Sequence, residues 1–259
     1  MVELTVSGER RRSLALALGV QARAFAVCDG FGTVEGSRIE EVALRYLRDA
    51  LSQRARGPRF GYHLSRPKAM SSLLISVFSR INTELYVRSA SHDDYVTAGA
   101  SLTLVVLAGE RAFLAHVGNT AAYLSRGGYM IALTKDDACA FDAPVGRAVA
   151  VSAHPPVLTR ALGSAPSVEL SVCSFRVSPT DALVLSNKRL AGFEDRRALS
   201  AWLLRGQPPF DLADRTIAVI PVQSEPAACV APESRAPHVL PALAGLAVGI
   251  WLFLLASLP

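Results

Sequence analysis

The sequence predicts an α+β fold in which helices pack on antiparallel sheets, and three observations carry the prediction. A pair of short strand patterns opens the chain, two long segments of helical spacing follow, and a run of apolar strands separated by glycine turns comes next. Ser13–Leu18 and Ala24–Cys28 read as strands joined by a turn around Gly19. From Arg38 to Arg54, Ile39, Val42, Ala43, Tyr46, Leu47 and Ala50 recur at helical spacing and give one amphipathic helix. A second long helix covers Ala69–Arg88. Ser101–Ala108, Ala112–Val117 and Ala121–Ser125 then form a meander, with tight turns at Gly109-Glu110 and Gly127-Gly128. Beyond a long loop, strands are expected at Val168–Val177, Ala182–Ser186 and Thr216–Pro221, with a helix at Arg196–Leu204 between the last two.

Residues 1–222 are expected to form one domain. Gln223–Pro237 carries Pro226, Pro232 and Pro237 among Ala, Ser and Glu residues and reads as a short, semi-extended linker. Val239–Leu258 has no charged residue, and about 20 helical residues reach about 30 Å, the thickness of a bilayer's hydrocarbon core. Residues 238–259 are therefore expected to be a single-pass transmembrane tail anchor, the alternative being a buried helix of a soluble core. Arg235 lies just before this segment and Arg is abundant upstream, which puts the N-terminal domain in the cytoplasm. Gly245 and Gly249 make a small-residue face that suits helix pairing, although a bilayer helix without a partner carries such glycines equally well. No N-terminal signal peptide is expected, because the apolar stretch Ser13–Val20 is too short and no small-residue cleavage site follows it.

Hydrophobic residues make up 51% of the chain, so a real core is within reach and disorder is excluded. The net charge of +5 comes from scattered Arg, with Arg10-Arg11-Arg12 the one clustered run, and nothing resembles a basic stripe interleaved with aromatics. A nucleic-acid partner is not expected. Cys28, Cys139, Cys173 and Cys229 lack metal-finger spacing, and Cys28 and Cys173 fall in strand-like apolar contexts where a reduced, buried thiol is the default.

The chemistry centres on Asp29-Gly30-Phe31-Gly32, an acidic turn between the strand ending at Cys28 and the first helix. A carboxylate at a strand end, followed by glycines that free a backbone carbonyl, suits a hard divalent cation, though it also suits a helix cap. The corresponding turn after Ala182–Ser186 reads Asn187-Lys188, neutral and then cationic. His116 alternates within a strand and reads as a core residue, His154 as loop chemistry before Pro155, and His92-Asp93-Asp94 as a solvated cluster.

Phe25-Ala26-Val27-Cys28-Asp29-Gly30-Phe31-Gly32, Gly99-Ala100-Ser101-Leu102 and His116-Val117-Gly118-Asn119-Thr120-Ala121-Ala122-Tyr123-Leu124 resemble the motifs of the metal-dependent protein phosphatases of type 2C, the PPM family. Leu133-Thr134-Lys135-Asp136-Asp137 and Leu158-Thr159-Arg160-Ala161-Leu162-Gly163 continue the likeness, which covers about Val6–Val222. The resemblance implies a sandwich of two antiparallel sheets flanked by α-helices. It also implies two Mg²⁺ or Mn²⁺ ions activating a water against a phosphoserine or phosphothreonine.

Carried over residue by residue, the resemblance gives Asp29 as the acid bridging both metals, Gly30 as the carbonyl ligand and Asp214 as the late acid of the first metal, with Arg215 where an Asn is usual. The family's early Asn-Glu-Asp run falls at Arg10-Arg11-Arg12, with Arg11 a degenerate ligand position; its Ser-Asp-Gly turn is Ser186-Asn187-Lys188, and its Gly-Asp-Ser is Gly118-Asn119-Thr120. Each Asp-to-Asn change removes a full negative charge from a metal shell. An ammonium about 5 Å from a divalent ion, at an effective dielectric of about 20, repels it by roughly 6 kcal/mol. The expectation is a vestigial site, with no metal or weakly bound Mn or Mg, in which Arg11, Arg12 or Lys188 neutralises Asp29 and Asp214; in the competing reading Asn187 ligates through its amide oxygen. The chain is thus expected to be a membrane-tethered, catalytically impaired phosphatase-like protein that binds a phosphoprotein or kinase. The alternative is an active Ser/Thr phosphatase with an atypical metal shell. A scaffold pairing through Gly245 and Gly249 is a third possibility. No catalytic residue is assigned.

Overall fold

A computed structural model describes residues 5–7, 12–34, 37–90, 98–139, 157–188 and 216–222. The chain divides into two units, Met1–Ser224 and Glu225–Pro259, and every described residue belongs to the first. The expected helix at Arg196–Leu204, the linker and the anchor lie outside the described residues. Among the described residues no helix is long and apolar enough to cross a membrane.

Two five-stranded antiparallel sheets dominate the first unit. One has the order β1 (Thr5–Ser7), β14 (Ile217–Pro221), β13 (Ala182–Ser186), β8 (Ala121–Arg126) and β9 (Tyr129–Ala132). The other runs β12 (Ser171–Arg176), β7 (Arg111–Val117), β6 (Gly99–Ala108), β3 (Ala22–Phe31) and β2 (Ser13–Leu18). Two short ribbons complete the β-structure, β4 (Thr33–Val34) with β5 (Ser37–Arg38) and β10 (Ala138–Cys139) with β11 (Val157–Leu158). The helices are α1 (Ile39–Ala55), α2 (Phe60–Ser65) and α3 (Pro67–Ala90).

The two faces of β3 explain the layering. Successive side chains of a strand point to opposite faces, so Phe25 and Val27 join Val105, Leu107, Leu114, Leu183, Leu185 and Ile220 in a core between the sheets. Ala24, Ala26 and Cys28 point the other way and meet Leu47, Leu51, Leu74, Phe78 and Ile81 from α1 and α3. Burial on both sides is why β3 and β6 read as continuous apolar runs rather than alternating ones. The predicted α+β order with antiparallel sheets is observed for the described residues.

Several boundaries differ from expectation. β3 extends through Phe31, because Asp29, Gly30 and Phe31 pair with Ser101, Ala100 and Gly99 of β6, so the acidic segment ends a strand instead of forming a free turn. α3 starts earlier than expected, at Pro67, whose fixed φ and missing N–H suit a first helical position. α2, β1, β4, β5, β9, β10 and β11 went unforeseen. Cys28 is buried as expected, whereas Cys173 is exposed on edge strand β12, which corrects the expectation of a buried thiol.

Candidate functional site

The site lies where β3 ends, α1 begins and β13 ends. Gly30 brings the first two together: a Cβ there would stand 2.5 Å from Ile39 Cγ2 and 2.7 Å from Glu40 Oε2. That closeness buries Glu40, an acid in the first turn of α1, to 2% exposure. Arg12 precedes β2, whose Ser13 pairs with Val27, so the hairpin delivers its guanidinium to the end of β3. Nη1 of Arg12 lies 3.1 Å from Asp29 Oδ1, and Nε lies 3.9 Å from Glu40 Oε1. Arg38 Nε stands 2.6 Å from the same Glu40 oxygen. Glu40 therefore draws two guanidinium groups, one of which it shares with Asp29.

From β13, Asn187 is fully buried and staples the sheet: its Oδ1 accepts the Thr216 backbone N–H at 2.8 Å, and its own N–H donates to the Thr216 carbonyl at 3.1 Å. Its side chain also hydrogen-bonds Asp29, and Lys188 adds positive charge nearby. Burial pushes the Asp29 carboxyl above the usual carboxylate range; Arg12, then Lys188, pull it down, Glu40 raises it, and the Asn187 hydrogen bond lowers it. Burial likewise pushes the Cys28 thiol well up, with Glu40 and Asp29 adding to the effect, so this sulfur stays protonated.

Asn119 sits one contact further out. Its Oδ1 accepts the Ser101 hydroxyl at 2.9 Å, its N–H donates to that oxygen at 3.1 Å, and Ser101 is the β6 partner of Asp29. Behind it, Asp137 accepts the Gly118 N–H at 2.9 Å and pairs with Arg160. His116 is a satisfied core residue, as its strand position implied. The Lys135 carbonyl, 3.1 Å from Nε2, can only accept, so Nε2 carries the proton and Nδ1 accepts from Thr103, 2.9 Å away. Thr103 in turn accepts from Thr120 at 2.7 Å. Burial holds the His116 imidazole below its ordinary value, hence neutral near pH 7.

The structure thus brings together Asp29, Gly30, Asn187 and Lys188, with Asn119 one residue removed through Ser101. Arg11, Asp214, His92-Asp93-Asp94 and His154 lie outside the described residues. Glu40 and Arg38 were missed by the sequence reading. Their signal was an acid in the first turn of a helix directly after a glycine-rich strand end, a position that favours negative charge. Among the described residues no three His, Cys, Asp or Glu side chains converge as a metal-holding group.

This architecture is the PPM, or type 2C, protein phosphatase fold, and the chain resembles that family in its motifs as well as its shape. The serine/threonine phosphatase PstP/Ppp of Mycobacterium tuberculosis superposes with a TM-score of 0.57 at 21% identity, covering 86% of this chain and 99% of that one. The catalytic domain of PstP in complex with two manganese ions gives 0.55 at 21% identity, covering 85% and 96%. In sequence, a probable protein phosphatase 2C of Arabidopsis thaliana is 30% identical over 115 residues, 43% of this chain. The chain spans 28% of that relative's length. No protein-family model matches the chain.

Proposed function

We propose that the chain is a membrane-tethered, catalytically impaired phosphatase-like protein that acts by binding in Ser/Thr phospho-signalling, with a phosphoprotein or kinase as its partner. One observation carries the reading: the Arg12 guanidinium lies 3.1 Å from Asp29 and 3.9 Å from Glu40. A divalent pair needs converging carboxylates and open coordination space. Here the described acids face resident cations, so the described donors do not fit two Mg²⁺ or Mn²⁺ ions. Asn119 and Asn187 supply amides where the family places acids, and both are committed, to Ser101 and Thr216. The tether rests on Val239–Leu258, uncharged and long enough to span a bilayer once, with Arg235 favouring a cytoplasmic N-terminal domain.

Turnover of p-nitrophenyl phosphate with Mn²⁺, alongside calorimetric titration of the full chain with Mn²⁺, tests this reading. The expected result is neither chelator-sensitive hydrolysis nor tight binding of two ions. Robust hydrolysis that vanishes with a chelator and in Asp29→Ala would instead establish an active Ser/Thr phosphatase with an atypical shell.

A further inference from the structure

The Arg10-Arg11-Arg12 run is not the chain's one basic cluster. From Ala50 to Thr83 the sequence contains no acid, and Arg54, Arg56, Arg59, Arg66 and Lys68 fall in that stretch. The fold displays all five on the surface, on the last turn of α1, the connection to α2, the junction between α2 and α3, and the start of α3. None of the five ion-pairs with a carboxylate among the described residues. Their backbone is well fixed. Phe60 and Met70 plug into the helix–sheet core, Gly57 N–H closes onto the Arg54 carbonyl at 3.0 Å, and Met70 N–H onto Arg66 at 3.0 Å. Tyr62 stands half exposed between them, with the Arg66 guanidinium 4.2 Å from its ring centroid.

We infer that this face docks on the anionic surface of a lipid bilayer. A rigid group of cations without carboxylate partners fits a sheet of negative headgroups, and an exposed Tyr is a side chain that favours the interfacial layer. The choice of a membrane over another polyanion follows from the same chain, which carries the uncharged segment Val239–Leu258. On that point the inference rests on the tether reading, and the two are tested by separate readouts. Docking would hold the Asp29 corner at a set orientation to the bilayer instead of leaving it on a free leash.

Full-length chain in phosphatidylcholine vesicles, with or without a minority of phosphatidylglycerol, supplies the test. Resistance to carbonate extraction reads the anchor alone. Amide hydrogen exchange across residues 54–68 reads docking. Slower exchange only with phosphatidylglycerol, relieved by added salt, is the expected result. Arg56→Gln, Arg59→Gln and Lys68→Gln should each weaken the docking equilibrium roughly fivefold without changing Tm. A triple variant combining the three substitutions should abolish docking, and the milder single variants keep the test valid should it fold poorly. Equal exchange on both vesicles would overturn the inference, as would protection that survives the triple variant in folded protein. Equal protection by soluble duplex DNA or polyglutamate would overturn it in favour of an acidic macromolecule. Loss of carbonate resistance with lipid-dependent protection intact would remove the anchor and leave the docking face standing.

Discussion

At Asp29, burial and Arg12 pull the carboxyl in opposite directions, with burial the larger influence. A carboxyl raised in the folded state stabilises the fold relative to its ionised form below the ordinary carboxylate value, and that advantage is lost as pH rises through the folded value. Arg12→Met removes the largest downward influence, so the Asp29 carboxyl should move further up. Stability at neutral pH should fall by about 1–3 kcal/mol, the usual cost of stranding a buried polar group. Urea unfolding at pH 7 and at about pH 4, with an NMR titration of the Asp29 carboxyl, would check this; an equal loss at both pH values would assign the effect to lost packing of Arg12. Part of this corner was legible beforehand. Two strands joined near Gly19 necessarily return Ser13 alongside Val27, so an Arg just before the first strand arrives beside an acid just after the second. The burial of Glu40 was not legible, because it depends on how closely Gly30 lets α1 approach, a distance no local pattern encodes.

Among the elements, the connections between strands separate two uses of glycine. Gly127 and Gly128 both have positive φ and join Arg126 to Tyr129 in a two-residue turn with open space around them. Gly118 also has positive φ, 97°, but a Cβ there would lie 2.1 Å from Ser101 Oγ and 2.7 Å from its Cα. Gly118→Ala should therefore cost roughly 3 kcal/mol through backbone strain and overpacking together. Gly127→Asn should cost under about 1 kcal/mol, since Asn tolerates this conformation. Chemical denaturation of the two variants compares them directly. The turn at Gly127-Gly128 was visible in the sequence, yet the strand it leads into was not. β9 is a four-residue edge strand with Tyr129 and Ile131 exposed, so it shows no buried face to betray it. The end of β3 was misplaced for a related reason: Asp29 and Gly30 disfavour strands locally, and only pairing to β6 keeps them extended.

For the whole molecule, two cores stacked through one sheet make stability depend on buried polar groups at several points. Two guanidinium hydrogen bonds, 2.7 Å from Nη2 and 3.0 Å from Nε of Arg126, hold the Asp181 carboxyl below the usual range and tie the end of β8 to the loop before β13. That stabilisation is present above the ordinary carboxylate value and lost as pH falls through the folded one. His116, depressed by burial, adds a loss that begins as pH drops below its unfolded value of about 6.5. Asp29 works in the opposite sense, so the net expectation is a Tm that declines from pH 7 to 5 and declines less in His116→Gln, measured by thermal unfolding across that range. The apolar runs and turns made this layering readable from the sequence. The pairing of strand ends far apart in the chain was not readable. Ser7 pairs with Ile217, so the first strand's partner is specified about 210 residues later. During synthesis β1 therefore leaves the ribosome long before anything exists to receive it, and β14 presents an open edge until the two meet. Closure of this sheet is the slow, late event of folding, and a chaperone that shields β14 in the interval would act on the yield of native protein without touching its final stability.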